Sequence, residues 1–440
     1  MGEADTDAAD QFDASISREK LAEGKVGLRQ RYRRLPGSVF ALSLVSLLND
    51  ASSEIIYPLL PLFLAVSLGA SPAAIGLIEG AAESVSSLLK LFAGYFSDRR
   101  GRRKGLVVFG YALASTVRPL LAFATNWYQV LGLRLADRVG KGIRSAPRDA
   151  MIADAATPEE RGLAFGFHRA MDHAGAVIGP LLGYAILLWV AADRNAPAAE
   201  DYMKVFLLAS IPALCAVLVA VFFVRETRRS RTTTTTEIDG LAPPRLSLRG
   251  FDGNFKRFLL ILALFTLSNS SDAFLLLRAR NAGVSVATIP LLWAALHAIK
   301  VLSSLVGGDL SDRLGRRTLI ASGWFLYAAV YAGFAFVSSV GMAWALFLVY
   351  GVYFGLAEGA EKALVADLAR PEQRGTAYGL YNLAFGITVF PASLLMGALW
   401  SWRGAQTAFL VSAGTGALAA LLLLLIVSSG AQQKQPARSP

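Results

Sequence analysis

The chain has 440 residues, 54% of them hydrophobic and only 17% charged, with a mean hydropathy of +0.48. Soluble domains carry nearer a quarter charged residues, so this composition excludes an ordinary soluble globule and points to a polytopic membrane protein. The single cysteine, Cys215, excludes an internal disulfide, and three histidines (His168, His173, His297) without ligand spacing leave no metal site and no implied cofactor.

Residues 1–36 are polar, acidic first and then basic, and read as a cytoplasmic tail without a signal peptide. Twelve apolar stretches of membrane length follow, near 37–67, 72–95, 105–125, 128–150, 163–189, 203–224, 256–280, 285–309, 318–338, 342–364, 376–399 and 404–428. Residues 225–255, with a threonine run, a proline pair and many cations, read as a linker, and 429–440 as a second tail. The expected organisation is a bundle over 37–224 and another over 256–428. Lys and Arg concentrate in the tails, the linker and the loops after the second and eighth spans. Positive loops stay in the cytoplasm, so both termini are expected inside a bacterial inner membrane. That asymmetry accounts for the net charge of +11 and leaves nucleic acid without support.

Two segments recur. "GYFSDRRGRR" from Gly94 returns as "GDLSDRLGRR" from Gly308, and "ADAATPEERG" from Ala153 returns as "ADLARPEQRG" from Ala366. The offsets are 214 and 213 residues, so the chain is a duplication of a six-span unit. An even number of spans makes the halves parallel, related by an axis along the membrane normal. A looser echo joins "NDASSE" (Asn49 to Glu54) to "NSSDAF" (Asn269 to Phe274).

These residues carry a family resemblance. The loop with Gly94, Asp98, Arg99, Gly101 and Arg102, and its second copy with Gly308, Asp312 and Arg316, resembles the signature loop of the major facilitator superfamily. "RVGKG" (Arg138 to Gly142) resembles that superfamily's fourth-span motif, with Lys141 where glutamine is usual. Gly166, Gly175, Gly179, Pro180 and Gly183 resemble the fifth-span motif of its proton-antiporter branch, with Tyr184 in place of the last glycine. The resemblance implies an all-α fold of twelve transmembrane helices in two pseudo-symmetric six-helix bundles, acting as a monomer. It also implies a site between the halves near the midplane and packing of the fifth span against the eighth.

The doubled loop is expected to act as a gate: Asp98 faces a helix N-terminus, and the arginines pair with carboxylates or lipid phosphates when one side is closed. Some of those cations serve only topology. Charges inside spans are functional candidates. Asp50 and Glu54 lie one turn apart near the centre of the first span, placed for a proton or substrate role. Arg134, Arg138, Lys141, Ser145 and Arg148 share one helical face of the fourth span, and the resemblance places Arg138 opposite Asp50 or Glu54. Arg148 reads as a headgroup-zone residue, and the same reading is one alternative for Arg144. Arg118, Glu79, Glu83, Lys90, Asp272, Glu358, Glu361 and Lys362 are further buried charges, each better explained as a packing pair, with Arg118 kept in the coupling set. Trp127, Trp293 and Trp400 read as interface anchors. Asp172 and Lys300 reach similar depth on facing spans and are expected to pair when the inner side is closed; the alternative keeps Asp172 bonded within its own half.

The function expected is secondary transport of a small organic molecule outward in exchange for protons. The alternative is uptake or exchange of an organic anion, suggested by the basic fourth-span face, Arg118 and Lys300. A flippase or membrane enzyme finds no paired histidine, nucleotide loop or metal spacing to support it.

Overall fold

The structure, a computed structural model, describes residues 35–100, 103–157, 160–226, 247–370 and 373–428, without the side chains of 94–100, 162, 305–309 and 311–312. The signature-loop charges therefore fall partly outside the described residues, as do most of the tails and linker. Among those described, the chain is helical, in twelve long passages: Gly37–Ser67, Pro72–Arg100, Lys104–Phe123, Trp127–Ala155, Arg161–Val190, Ala199–Phe222, Gly253–Asn281, Ile289–Leu314, Arg316–Ala335, Val340–Asp367, Arg374–Arg403 and Ala405–Ile426. Ten are long and apolar enough to cross a membrane; the second and fourth are long but carry charge along their length. The arrangement is consistent with the twelve expected spans.

Local chemistry sets the ends. Asn126 caps the fourth span, its side chain accepting from the Gln129 N–H at 3.0 Å, and Ser339 caps the tenth by accepting from Met342. Asp252 does the same for the seventh. Pro58 cannot continue the first helix, which ends at Ile56 and resumes as Leu60–Leu62 and a wide π-turn, Phe63–Ser67. Gly315 turns the chain from the eighth span into the ninth at φ +82°, a left-handed conformation that explains the glycine in "SDRLGRR". Its first-half counterpart, Gly101, lies outside the described residues.

Within the first half the first span packs on the fifth and sixth, and the fourth on the second and third. In the second half the eighth packs on the tenth, and the ninth on the tenth and twelfth. The halves meet through the second and eleventh spans and through the fifth and eighth. One end of the bundle, the terminal end, gathers Arg103 with Glu226, Arg317 with Val427 and Asn254 with Ser428, where the described residues meet the tails and linker. At the opposite end the halves are sealed. A β-carbon on Gly397 would lie 2.4 Å from the Pro72 carbonyl, and one on Gly76 2.3 Å from that of Ser393, so the backbones touch. Arg280 donates to the Asn195 carbonyl and the Ala287 N–H to that of Arg194. One apolar core, including Leu60, Phe63, Ile75, Tyr202, Phe206, Phe274 and Leu276, runs through both halves. A second core, including Leu42, Val45, Tyr111 and Ile152, stays within the first half. Toward the terminal end a chamber separates the halves, with half-exposed Glu358 and Lys362 on its wall.

Candidate functional site

Two cavities lie between the halves. One of about 200 Å³ is lined by Tyr57, Glu79, Glu83 and Arg138 from the first half and by Asp272, Tyr350 and others from the second. The chamber nearer the terminal end, about 310 Å³, carries Glu83 and Lys90 opposite Tyr353, Glu358, Glu361 and Tyr381.

The fifth-span glycines meet the first-span carboxylates directly. A β-carbon on Gly175 would lie 2.6 Å from the Leu47 carbonyl and 3.0 Å from Asp50 Cβ; on Gly179, 2.5 Å from the Ala51 carbonyl and 2.8 Å from Glu54 Cβ. No larger residue permits this approach, so two separate sequence signals are one structural feature. Gly183 is in looser contact with Ile55, and Gly166 has open space around it. Pro180 lies inside the fifth helix, where it withholds a backbone donor.

Asp50 accepts from the Asn49 amide at 2.9 Å, and its charged neighbours are Asp172, Lys141, Arg144 and Arg148. Glu54 accepts from the Trp293 indole N–H at 2.8 Å. This bond runs from the first span to the eighth, between halves. Trp293 is 4% exposed, and its ring lies 5.1 Å from that of Tyr57 and 5.0 Å from that of His297. It is a buried inter-half contact rather than an interface anchor.

The fourth-span basic face divides among several partners. Arg134 grips Glu79 through both carboxylate oxygens at 2.7–3.1 Å, a buried packing pair. Arg138 lines the central cavity beside Glu79 and Glu83, and Glu54 is also among the carboxylates it acts on. Its Nε is buried without a hydrogen-bond partner. Lys141 sits among Arg138, Glu83, Lys90 and Asp50. Arg144 is buried against the Tyr111 ring at 4.4 Å, and Arg148 donates to Ser46 Oγ at 2.9 Å and to Asp149. Both are held within the bundle, which for Arg148 corrects the headgroup reading.

Arg118 is a clamp. Its guanidinium bonds the Asn49 backbone and side-chain oxygens at 3.0 Å and Asp137 at 3.3 Å, tying the first, third and fourth spans together. Burial with every direction occupied by protein fits a structural role better than coupling.

The second half is built differently. The seventh helix stops at Ser268 and restarts at Ala273, leaving Asn269 to Asp272 unwound beside the central cavity. Freed backbone groups find other partners: Tyr327 donates to the Ser268 carbonyl at 2.6 Å, and the Ser271 N–H reaches Ser393 Oγ at 3.2 Å. Asp272 accepts from the Tyr350 hydroxyl at 2.7 Å. Tyr327, Tyr331, Tyr350, Tyr353 and Phe354 stack into an aromatic wall, and Lys300 lies 3.5 Å over the Phe354 ring. A sequence signal for this wall existed: aromatics recur at steps of three and four in the ninth and tenth spans.

A family model for the major facilitator superfamily matches residues 42–390 and, separately, 257–440. The chain belongs to the major facilitator superfamily. It is a membrane transporter. An MFS-type transporter of Methanocaldococcus jannaschii is 35% identical over 400 residues, 90% of this chain and 96% of the relative. A Lactococcus lactis protein named as a homolog of the multi-drug resistance efflux pump PmrA is 27% identical over 305 residues, covering 66% of this chain and 70% of that one. Among solved structures, an inward-facing, occupied bacterial homolog of the human lysosomal transporter Spinster superposes with a TM-score of 0.70 at 18% identity, over 88% of this chain and 95% of that one, which speaks to fold alone.

Two superfamily expectations meet particular geometry here. In the signature loop, Arg316 forms an ion pair with Asp367 and donates to the Ala363 carbonyl; its first-half counterpart, Arg102, lies outside the described residues, but the neighbouring Arg103 pairs with Asp154. Both pairs stay within one half, so these arginines staple a loop to its own bundle. Gly101 and Arg102, and the side chains of Asp98, Arg99 and Asp312, lie outside the described residues, as does any contact at Gly94. Asp172 and Lys300 form no ion pair in this structure: Asp172 faces His168 of its own helix at 3.6 Å, while Lys300 sits on Phe354. The eighth helix's rotation points the ammonium at the aromatic wall, and the terminal side of the halves is apart.

Proposed function

We propose that the protein exports a small organic molecule in exchange for protons by alternating access, with its terminal end in the cytoplasm. The observation that carries this reading is the Glu54–Trp293 hydrogen bond, because it places a carboxylate of the first-span pair on a contact that must break for the far end to open. An ionised acceptor makes a bond roughly twice as strong as a neutral one. A proton on Glu54 weakens the bond to Trp293 and favours opening; its release favours closure. Asp50, one turn away and also packed on the fifth-span glycines, shares the proton pathway. The cationic loops at the terminal end support a cytoplasmic placement, and the efflux-pump name of the Lactococcus relative supports outward transport.

A second reading, uptake or exchange of an organic anion, is favoured by Arg138, which faces the central cavity with an unpartnered Nε. Proteoliposomes with an imposed pH gradient test the choice. Gradient-driven flux that is lost in the double variant Asp50→Asn, Glu54→Gln supports proton exchange. Flux independent of the gradient and abolished by Arg138→Gln supports anion exchange and overturns the first reading.

A further inference from the structure

Glu361, on the tenth span, is 7% exposed and borders the chamber. Both its oxygens are taken by neutral donors: Oε1 accepts from the Trp324 indole N–H and Oε2 from the Tyr381 hydroxyl, each at 2.9 Å. Among the described residues no Lys or Arg makes an ion pair with it. Lys362, its chain neighbour, turns instead to Glu358 at 2.9 Å. Other groups around it are accounted for. On its own helix Tyr353 stacks in the aromatic wall, and Arg316 of the ninth span pairs with Asp367. From the eleventh span Tyr378 donates to the Lys362 carbonyl. Lys300 of the eighth rests on Phe354. The seventh presents Phe265, Thr266 and Asn269, and the second presents Glu83 and Lys90 across the chamber.

Resting on the proton-exchange reading, we propose that Glu361 is a second proton-binding site, in the second half, that sets the charge of the chamber. The two donors differ in a way that serves this role. An indole N–H only donates, so it fixes Oε1 as an acceptor in both charge states. A phenolic hydroxyl donates or accepts by rotation. A proton delivered from chamber water adds to Oε2, and Tyr381 turns its hydrogen away and accepts. Only the Tyr381 hydroxyl rotates in the exchange, its freed hydrogen turning toward the chamber that Tyr381 lines. The chamber lining holds Glu83, Glu358 and Glu361 against Lys90 and Lys362. Protonating Glu361 therefore brings that lining from one net negative charge to neutral, changing what it attracts while leaving its shape intact.

Infrared difference spectroscopy of the purified, full-length transporter, cycled between acid and alkaline buffer without substrate, tests this. The expected result is a protonated-carboxyl C=O band in the parent that disappears in Glu361→Gln and survives in the double variant Asp50→Asn, Glu54→Gln. Glutamine retains an acceptor for Trp324 and a polar partner for Tyr381, so the fold is preserved. Tyr381→Phe keeps the carboxylate and its indole bond, and is expected to move the pH midpoint of the same band. A spectrum unchanged by Glu361→Gln, or a midpoint unchanged by Tyr381→Phe, overturns the assignment. Because this readout needs neither substrate nor gradient, it separates failure of this site from failure of proton-driven transport.

Discussion

The two halves descend from one repeated unit, yet they hold their buried carboxylates by opposite means. In the first half Asp137 and Glu79 are gripped by Arg118 and Arg134. In the second, Asp272 and Glu361 are held by tyrosine hydroxyls and an indole. An arginine neutralises its partner and stays charged at any physiological pH, so such a pair is a fixed strut. A neutral donor leaves the carboxylate free to take up or release a proton. On the proposed reading, the difference gives rigidity to the charged pairs of the first half and adjustable charge to Asp272 and Glu361 of the second. Asp50 and Glu54 depart from this pattern in the first half: Asp50 accepts from the Asn49 amide, and Glu54 from Trp293 of the other half.

The comparison breaks most visibly at the struts. Arg118→Met leaves Asp137 buried without its cation and is expected to cost about 3–5 kcal/mol, read as a collapse of folded yield in detergent. Adding Asp137→Leu is expected to restore most of it; no restoration would mean Arg118 acts through something other than this pair. At the inter-half bond, Trp293→Phe keeps the ring and removes the donor. A loss of about 1.5–3 kcal/mol is expected to raise far-end cysteine labelling with little change in folded yield. Gly175→Leu drives a side chain into the Leu47 carbonyl and Asp50, at a cost of about 1–3 kcal/mol. Coupled flux is expected to fall, and unchanged flux would detach the glycines from the carboxylates. The smallest effect belongs to the aromatic wall: Tyr350→Phe removes one bond to Asp272, about 0.5–1.5 kcal/mol, and should leave thermal stability nearly intact. A loss as large as that of Arg118→Met would erase the distinction between the halves.

Much of the fold was readable because its signals are local. Apolar runs of membrane length, cationic loops and two copied segments need no knowledge of how helices rotate. The Asp50–Glu54 pair and the fifth-span glycines were readable for the same reason, each lying on one stripe of one helix. That the two signals touch was not, since it depends on the register between the first and fifth spans. Rotation and conformational state also bear on particular residues. Arg148 turned into the bundle, onto Ser46 and Asp149; the Asp172–Lys300 pair was expected with the terminal side closed, and here that side is open, with Lys300 on Phe354. Trp293 lies near a span end, where tryptophan ordinarily marks an interface, and only the facing Glu54 reveals its role. The break in the seventh span was hinted at by "NSSD", a run of residues that compete with helical hydrogen bonds.

The central claim is that a proton at Glu54 releases the far-end closure. Spin labels introduced at Val66→Cys and Val340→Cys, on opposite halves at that end, with Cys215→Ser, report the opening as a distance distribution. In the otherwise unaltered protein, acidification is expected to transfer population to longer distances. Glu54→Gln, which mimics the protonated state, is expected to hold the longer-distance population at every pH. A Glu54→Gln protein that still opens and closes with pH as its parent does would contradict the account.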